Sequence, residues 1–216
     1  MSRSPTPKTD KEAYIKNTKE QYEALGRFVE AFEAMVNEAR STCIDILSIE
    51  SSQERLLVVV FHHSALTAKP LFEIMRALIA EQLKHIVKIS IKDIDVFRGV
   101  LSDIATEYFD LANTRNNLLH GTWYIGYQNT IDANSETFRV NKYKPTKSGL
   151  AADDLPKEAG ELLKLRDRCE KTRSWIGLLV ECLPKDPADE TRITNIFKFK
   201  KGRWRLGPEE TSETLP

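Results

Sequence analysis

Two long stretches of this chain repeat apolar residues at steps of three and four, a spacing that restricts them to helices packing along one face. From about Thr18 to Cys43 the repeat runs Tyr22, Leu25, Phe28, Phe32, Met35, Ala39 and Cys43. From about Pro156 to Leu183 it runs Leu162, Leu165, Cys169, Thr172, Ile176, Leu179 and Leu183. A helix turns about 100° per residue, so each set falls on one stripe, whereas a strand would scatter it over both faces. Both segments read as seam helices of a bundle. Two more helices are expected between them, about Glu54 to Val87 and about Lys92 to His120. Pro70 lies inside the first of these, where a missing N–H and a ring clash predict a kink or a break near Lys69. Four long helices without alternating strands predict an all-α fold, a four-helix up-down bundle over residues 18–185.

The end of the third helix carries the chemistry. Residues 111–121 read Leu-Ala-Asn-Thr-Arg-Asn-Asn-Leu-Leu-His-Gly. Extending the apolar spacing of Ile94, Phe97, Leu101, Ile104, Tyr108 and Leu111 puts Arg115 near the middle of the apolar stripe. Burying an unpaired guanidinium costs several kcal/mol, so this position needs a partner charge, a subunit interface or a cleft that admits an anion. Asn116 and His120 stand four residues apart and share one face, about 100° around the helix from Arg115. Asn113, Asn116 and Asn117 together carry a propensity penalty of about 2 kcal/mol against alanine, so helix stability did not place them. Gly121 reads as the residue after the C-cap, and the carbonyl end of a helix favours a cation beside it. In the bland alternative, Arg115 pairs with Glu107, Asp110 or another helix and fixes register, with Asn116 and His120 as cap residues.

The pattern Arg115-Asn116 followed by His120-Gly121 resembles the Arg-polar-xxx-His signature of the HEPN superfamily of small helical bundle proteins. The likeness of architecture covers about residues 18–185 and the motif itself covers six residues. The resemblance implies a bundle that forms a homodimer, with two copies of the motif across a cleft. It also implies either a metal-independent endoribonuclease or an inactive relative serving as a nucleotide-binding, RNA-binding or protein-interaction module. A toxin or defence role, with an antitoxin as protein partner, belongs to the same expectation. In the enzyme reading, Arg115, Asn116 and His120 are the catalytic residues and no cofactor is required. An RNA phosphodiester is cut by its own 2′-hydroxyl once a base removes the proton, an acid protonates the leaving oxygen and a cation meets the developing charge. His120 would move the proton, Arg115 would stabilise the charge and Asn116 would position phosphate or imidazole. One histidine serves poorly as acid and base together, and a two-fold dimer would bring two to one phosphate.

After the motif the period changes. Thr122 to Tyr127 and Glu136 to Tyr143 are rich in aromatic and β-branched residues and flank a polar stretch, which predicts a β-hairpin inserted over residues 122–145. As an RNA flap, its Trp123, Tyr124 and Tyr127 would stack bases and its Arg139, Lys142 and Lys144 would meet phosphates. As an appendage, its aromatics would cap the open end of the bundle. Residues 186–216 form a basic, aromatic extension. Arg192, Lys198, Lys200, Lys201, Arg203 and Arg205 alternate with Phe197, Phe199 and Trp204, with no acidic residue among them, before an acidic tail of Glu209, Glu210 and Glu213. Phe197 to Lys200 and Arg203 to Leu206, separated by Lys201-Gly202, fit a short hairpin. Two readings stand open: an RNA-binding surface built on Lys198, Lys200, Arg203 and Trp204, or an edge hairpin whose aromatics pack inward while its lysines discourage aggregation.

Composition narrows the partners. Lys plus Arg and Asp plus Glu are 32 each, so nucleic-acid binding would depend on local patches. Residues 1–17 read as a disordered lead-in without an apolar segment of signal-peptide length. The longest apolar run, Leu56 to Phe61, falls far short of the roughly 20 residues that span a bilayer, so no membrane partner is expected. Cys43, Cys169 and Cys182 are odd in number and lack metal-ligand spacing, which favours a reducing, cytoplasmic compartment. His62 and His63 lie in the apolar stretch of the second helix and read as satisfied core or interface residues, without a third ligand for a metal. Glycine-rich phosphate loops, nucleophile elbows and zinc-protease patterns are not evident in the sequence.

Overall fold

The computed structural model describes residues 11–47, 60–63, 66–86, 89–124, 139–146, 149–154, 158–184, 192–200 and 202–206. The chain is mostly helical, with two small antiparallel sheets. Its elements run α1 (Lys11–Leu47), α2 (Ala68–His85), α3 (Ile91–Leu119), β1 (Thr122–Tyr124), β2 (Arg139–Thr146), β3 (Gly149–Asp154), α4 (Ala159–Glu181), α5 (Ile193–Ile196), β4 (Phe197–Lys200) and β5 (Arg203–Leu206). Among the described residues no helix is long and apolar enough to cross a membrane.

Each long helix forms where the apolar spacing places it. All seven seam positions are buried, six on α4 from Leu162 to Leu179 and Leu183 just past its end, and the hydroxyl of Thr172 is satisfied by donating to the Arg168 carbonyl at 2.8 Å. On α1, Phe28, Phe32, Met35, Ala39 and Cys43 are buried, but Tyr22, counted in the same stripe, is 55% exposed. A phenol tolerates that position because its hydroxyl can reach water. Helix α3 begins with a serine N-cap: the Asp93 N–H donates to Ser90 Oγ at 3.1 Å, and that hydroxyl donates to the Asp93 carboxylate at 2.6 Å.

The break in the second helical segment comes just before the proline. Residues 62 and 63 form a turn and a bend, and α2 starts at Ala68, so Pro70 falls in its first turn, where an amide N–H has no intrahelical acceptor to lose. Leu71 N–H, donating to Thr67 O at 3.1 Å, makes the first i to i−4 bond. The break corrects the expectation for His62 and His63: both are exposed, beside a buried Phe61.

The insert after α3 is larger than a hairpin. Strand β1 pairs with β2 (Tyr124 opposite Arg139), and β2 pairs with β3 from Asn141 opposite Asp154 to Thr146 opposite Gly149, giving the order β1-β2-β3. The third strand, Gly-Leu-Ala-Ala-Asp-Asp, has no aromatic or β-branched residue, so its conformation comes from pairing with β2 and not from its own propensity. Residues 1–10, 125–138 and 207–216, including Tyr127 and the acidic tail, lie outside the described residues.

The chain divides into two compact units, Met1–Phe32 with Asn113–Asp167, and Glu33–Ala112 with Arg168–Pro216. The first holds the carboxyl end of α3 and the three-stranded sheet. In the second, the Phe72 ring of α2 stacks on Tyr108 of α3 at 4.5 Å and meets Phe109 edge-on at 5.5 Å. Arg168 of α4 bonds Glu107 and Asp110 of α3, and Arg173 lies 3.4 Å from Glu38 of α1. Cys43, Cys169 and Cys182 are buried thiols in this unit, and burial pushes each thiol pKa up to about 12.

Candidate functional site

The first unit carries the motif on the last turn of α3. Leu111 and Leu118 are fully buried, and Arg115 lies between them in sequence, half-buried, as the stripe geometry requires. Its guanidinium carbon stands 5.6 Å from the centroid of the Phe32 ring on α1, a cation–π arrangement worth about 0.5–1 kcal/mol. Its Nη1 donates to Asn116 Oδ1 at 3.4 Å. These contacts fix where the positive charge sits while Asn116 remains exposed beside it.

One turn further on, the helix ends. The His120 N–H donates to the Asn116 carbonyl at 3.0 Å, and the Gly121 N–H turns back to Leu118 O at 3.4 Å, tightening the chain out of the helix. The His120 side chain is exposed. Arg115 and Asn116 are therefore joined by a side-chain hydrogen bond, and Asn116 and His120 by a backbone one. Asn113 is exposed and Asn117 half-buried.

Glu107 and Asp110, two of the carboxylates that the sequence offered Arg115, are both bonded by Arg168. Arg168 donates through Nε to Glu107 Oε1 and through Nη2 to Asp110 Oδ2, both at 2.6 Å. These charge-assisted bonds, strongest from Glu107, raise the Arg168 guanidinium pKa further above its ordinary range. Sequence reasoning missed Arg168 because the α4 repeat identifies the stripe and not its flanks.

The chain matches no protein-family model, no curated protein and no solved structure. Its chemistry therefore has to be argued from its own residues.

The remaining candidate RNA-contact residues are divided between the two units. Trp123, Tyr124 and Arg139 belong to the first unit, where Tyr124 and Arg139 are register partners; their side chains lie outside the described residues. Lys198, Lys200, Arg203 and Trp204 belong to the second unit, on the hairpin β4–β5. Gly202, with φ +77°, occupies its turn, a conformation that glycine adopts without the Cβ penalty. Trp204 is turned onto α3. Its backbone N–H donates to Asp103 Oδ2 at 2.9 Å, and its indole lies so close to Gly99 that a Cβ there would meet Nε1 and stand 2.9 Å from Cε2. Phe197 is buried with its ring edge-on to Trp175 at 6.2 Å. Among the described residues no group of three or more His, Cys, Asp or Glu side chains could hold a metal ion.

Chemically, the α3 end offers a fixed guanidinium, an amide beside it and a solvent-facing imidazole. These groups can hold a phosphate, stabilise a negative charge that develops on it and exchange a proton.

Proposed function

We propose that this protein is a HEPN-like, metal-independent endoribonuclease, with α1 to α4 as the four helices of an up-down bundle and the active centre formed at the α3 ends of a homodimer. The observation that carries the reading is the joint presentation at one helix end of Arg115, anchored on Phe32 and bonded to Asn116, and an exposed His120. In the reaction, one His120 removes the proton from the ribose 2′-hydroxyl and the partner subunit's His120 protonates the departing 5′-oxygen. Arg115 meets the charge on the phosphorane-like transition state and Asn116 orients the phosphate. The products are a 2′,3′-cyclic phosphate and a 5′-hydroxyl end. Labelled RNA incubated with the full chain in excess chelator should be cut to these products, and His120→Ala should leave it intact. Absence of cleavage by the parent protein removes the catalytic reading.

A second reading draws on the partial burial of Arg115 beneath Asn116 and against Phe32, a geometry suited to holding an anion without turnover. The dimer would then be a nucleotide-binding or RNA-binding module. Uncut RNA retained by the parent and released by Arg115→Ala, with the fold preserved, would select it.

A further inference from the structure

We propose that the outer face of the β4–β5 hairpin binds the phosphate backbone of a single RNA strand through charge alone. The hairpin register sorts its residues by chemistry. Directly opposed residues in an antiparallel pair share a face. Phe197 opposite Leu206 and Phe199 opposite Trp204 make one face, and Lys198 opposite Arg205 and Lys200 opposite Arg203 make the other. The apolar face is anchored by Phe197 against Trp175 and by Trp204 against Gly99, and the Phe199 ring, 60% exposed, leans on Trp204 at 5.2 Å. All four basic side chains on the other face are exposed.

Hairpin stability gives no reason for that second face. Like charges placed directly opposite one another destabilise a strand pair by a few tenths to about 1 kcal/mol, and here both cross-strand pairs are cation on cation. Among the described residues no carboxylate pairs with Lys200, Arg203 or Arg205, and Lys198 Nζ donates to a neutral acceptor, the Thr194 carbonyl, at 2.5 Å. One lysine on an edge strand is enough to discourage sheet extension. Four cations in a two-by-two block, about 7 Å apart along each strand and about 5 Å across, suit a ligand that carries closely spaced negative charges.

Phosphates along a nucleic-acid strand are such a ligand. A lipid surface fits less well, because binding there couples basic charge to apolar side chains that enter the bilayer, and the basic face has none. With Trp204 and Phe197 turned onto the helices, stacking contributes little, so binding is independent of base sequence and strongly dependent on salt. The choice of RNA rests on the reading of the α3 site, whereas the charged face does not.

The test uses the full chain carrying His120→Ala, so that cleavage does not interfere, and fluorescein-labelled oligouridine read by anisotropy across a salt series. Replacing Lys198, Lys200, Arg203 and Arg205 by Gln should weaken binding about tenfold or more at low salt. It should also flatten the slope of log affinity against log salt by about 3, at about 0.7 for each phosphate contact on a single strand. Lys200→Gln with Arg203→Gln, which leaves the aromatic anchor and the other pair in place, should give about half of that change, with the circular dichroism spectrum unaltered. Phosphatidylcholine vesicles containing phosphatidylserine should bind neither protein. Parent protein that ignores the oligonucleotide, variants that bind it with unchanged affinity and slope, or a parent that prefers the vesicles would each overturn the proposal. Because binding is read in the His120→Ala chain, failed cleavage and failed backbone binding give separate results.

Discussion

Arg168 in the second unit and Arg115 in the first are both half-buried arginines on long helices, held in different ways. Arg168 spans two carboxylates at 2.6 Å each, 58 and 61 residues away in sequence, so its charge is neutralised within the fold and ties α4 to α3. Arg115 stands over the Phe32 ring and donates to the Asn116 side-chain amide. A buried cation is therefore not a functional sign by itself.

The largest effect separates them by function. On the proposed endoribonuclease reading, Arg115→Ala should lower RNA cleavage by about 10²–10³-fold, the usual range for removing one charge-stabilising donor. Arg168→Ala should act on stability, costing about 1–2 kcal/mol in urea denaturation after allowance for a side chain that is 37% exposed. Unchanged cleavage in Arg115→Ala, or unchanged stability in Arg168→Ala, would break the comparison.

Gly99→Ala probes the other anchor of the second unit. Helix propensity favours alanine by about 1 kcal/mol, but the new methyl would press into the Trp204 indole. Overpacking of that kind costs about 1–3 kcal/mol, so a net loss of about 1 kcal/mol with a shifted tryptophan emission is expected. A stabilised variant with unchanged emission would show that the hairpin is not held there.

Alkali should discriminate between the units as well. The three raised thiols and the Tyr108 phenol, also raised by burial, all lie in the second. The unfolded chain gives up those protons at lower pH than the folded one. The stabilisation is thus fully present below the ordinary thiol pKa of about 8.5 and is lost as pH climbs towards the folded values near 12. Urea unfolding should show stability falling by about 1 kcal/mol or more between pH 8 and pH 10. Hydrogen exchange should show the loss at α2 and the buried seam of α4 before the end of α3. The smallest change expected is from Gly202→Ala, about 1 kcal/mol, because φ of +77° disfavours a Cβ.

Legibility in the sequence followed periodicity. The α4 seam, the α3 stripe and the C-terminal hairpin could each be read because burial imposes a repeat of 3.6 or 2 on local sequence. Strand β3 could not, since Gly-Leu-Ala-Ala-Asp-Asp acquires its conformation from β2. His62 and His63 form a turn and a bend where the sequence predicts continuous helix, because apolar content alone does not mark a turn. At the candidate site, the half-burial of Arg115 was legible from its angle on the helix, but its partners were not. Phe32 lies 83 residues earlier, and the rival acceptors Glu107 and Asp110 are committed to an arginine on another helix.

The order of residues alone determined that this chain is mostly helical, which faces its helices bury, and that a guanidinium, an amide and an imidazole crowd the end of the third long helix. Those are consequences of backbone geometry acting within a few turns. Tertiary structure alone decided which carboxylates hold Arg168, which ring lies against Arg115, and that the C-terminal hairpin buries Phe197, sets Trp204 against Gly99 and leaves its cations exposed. Each of these depends on groups remote in sequence competing for the same contacts, a competition that local spacing does not encode.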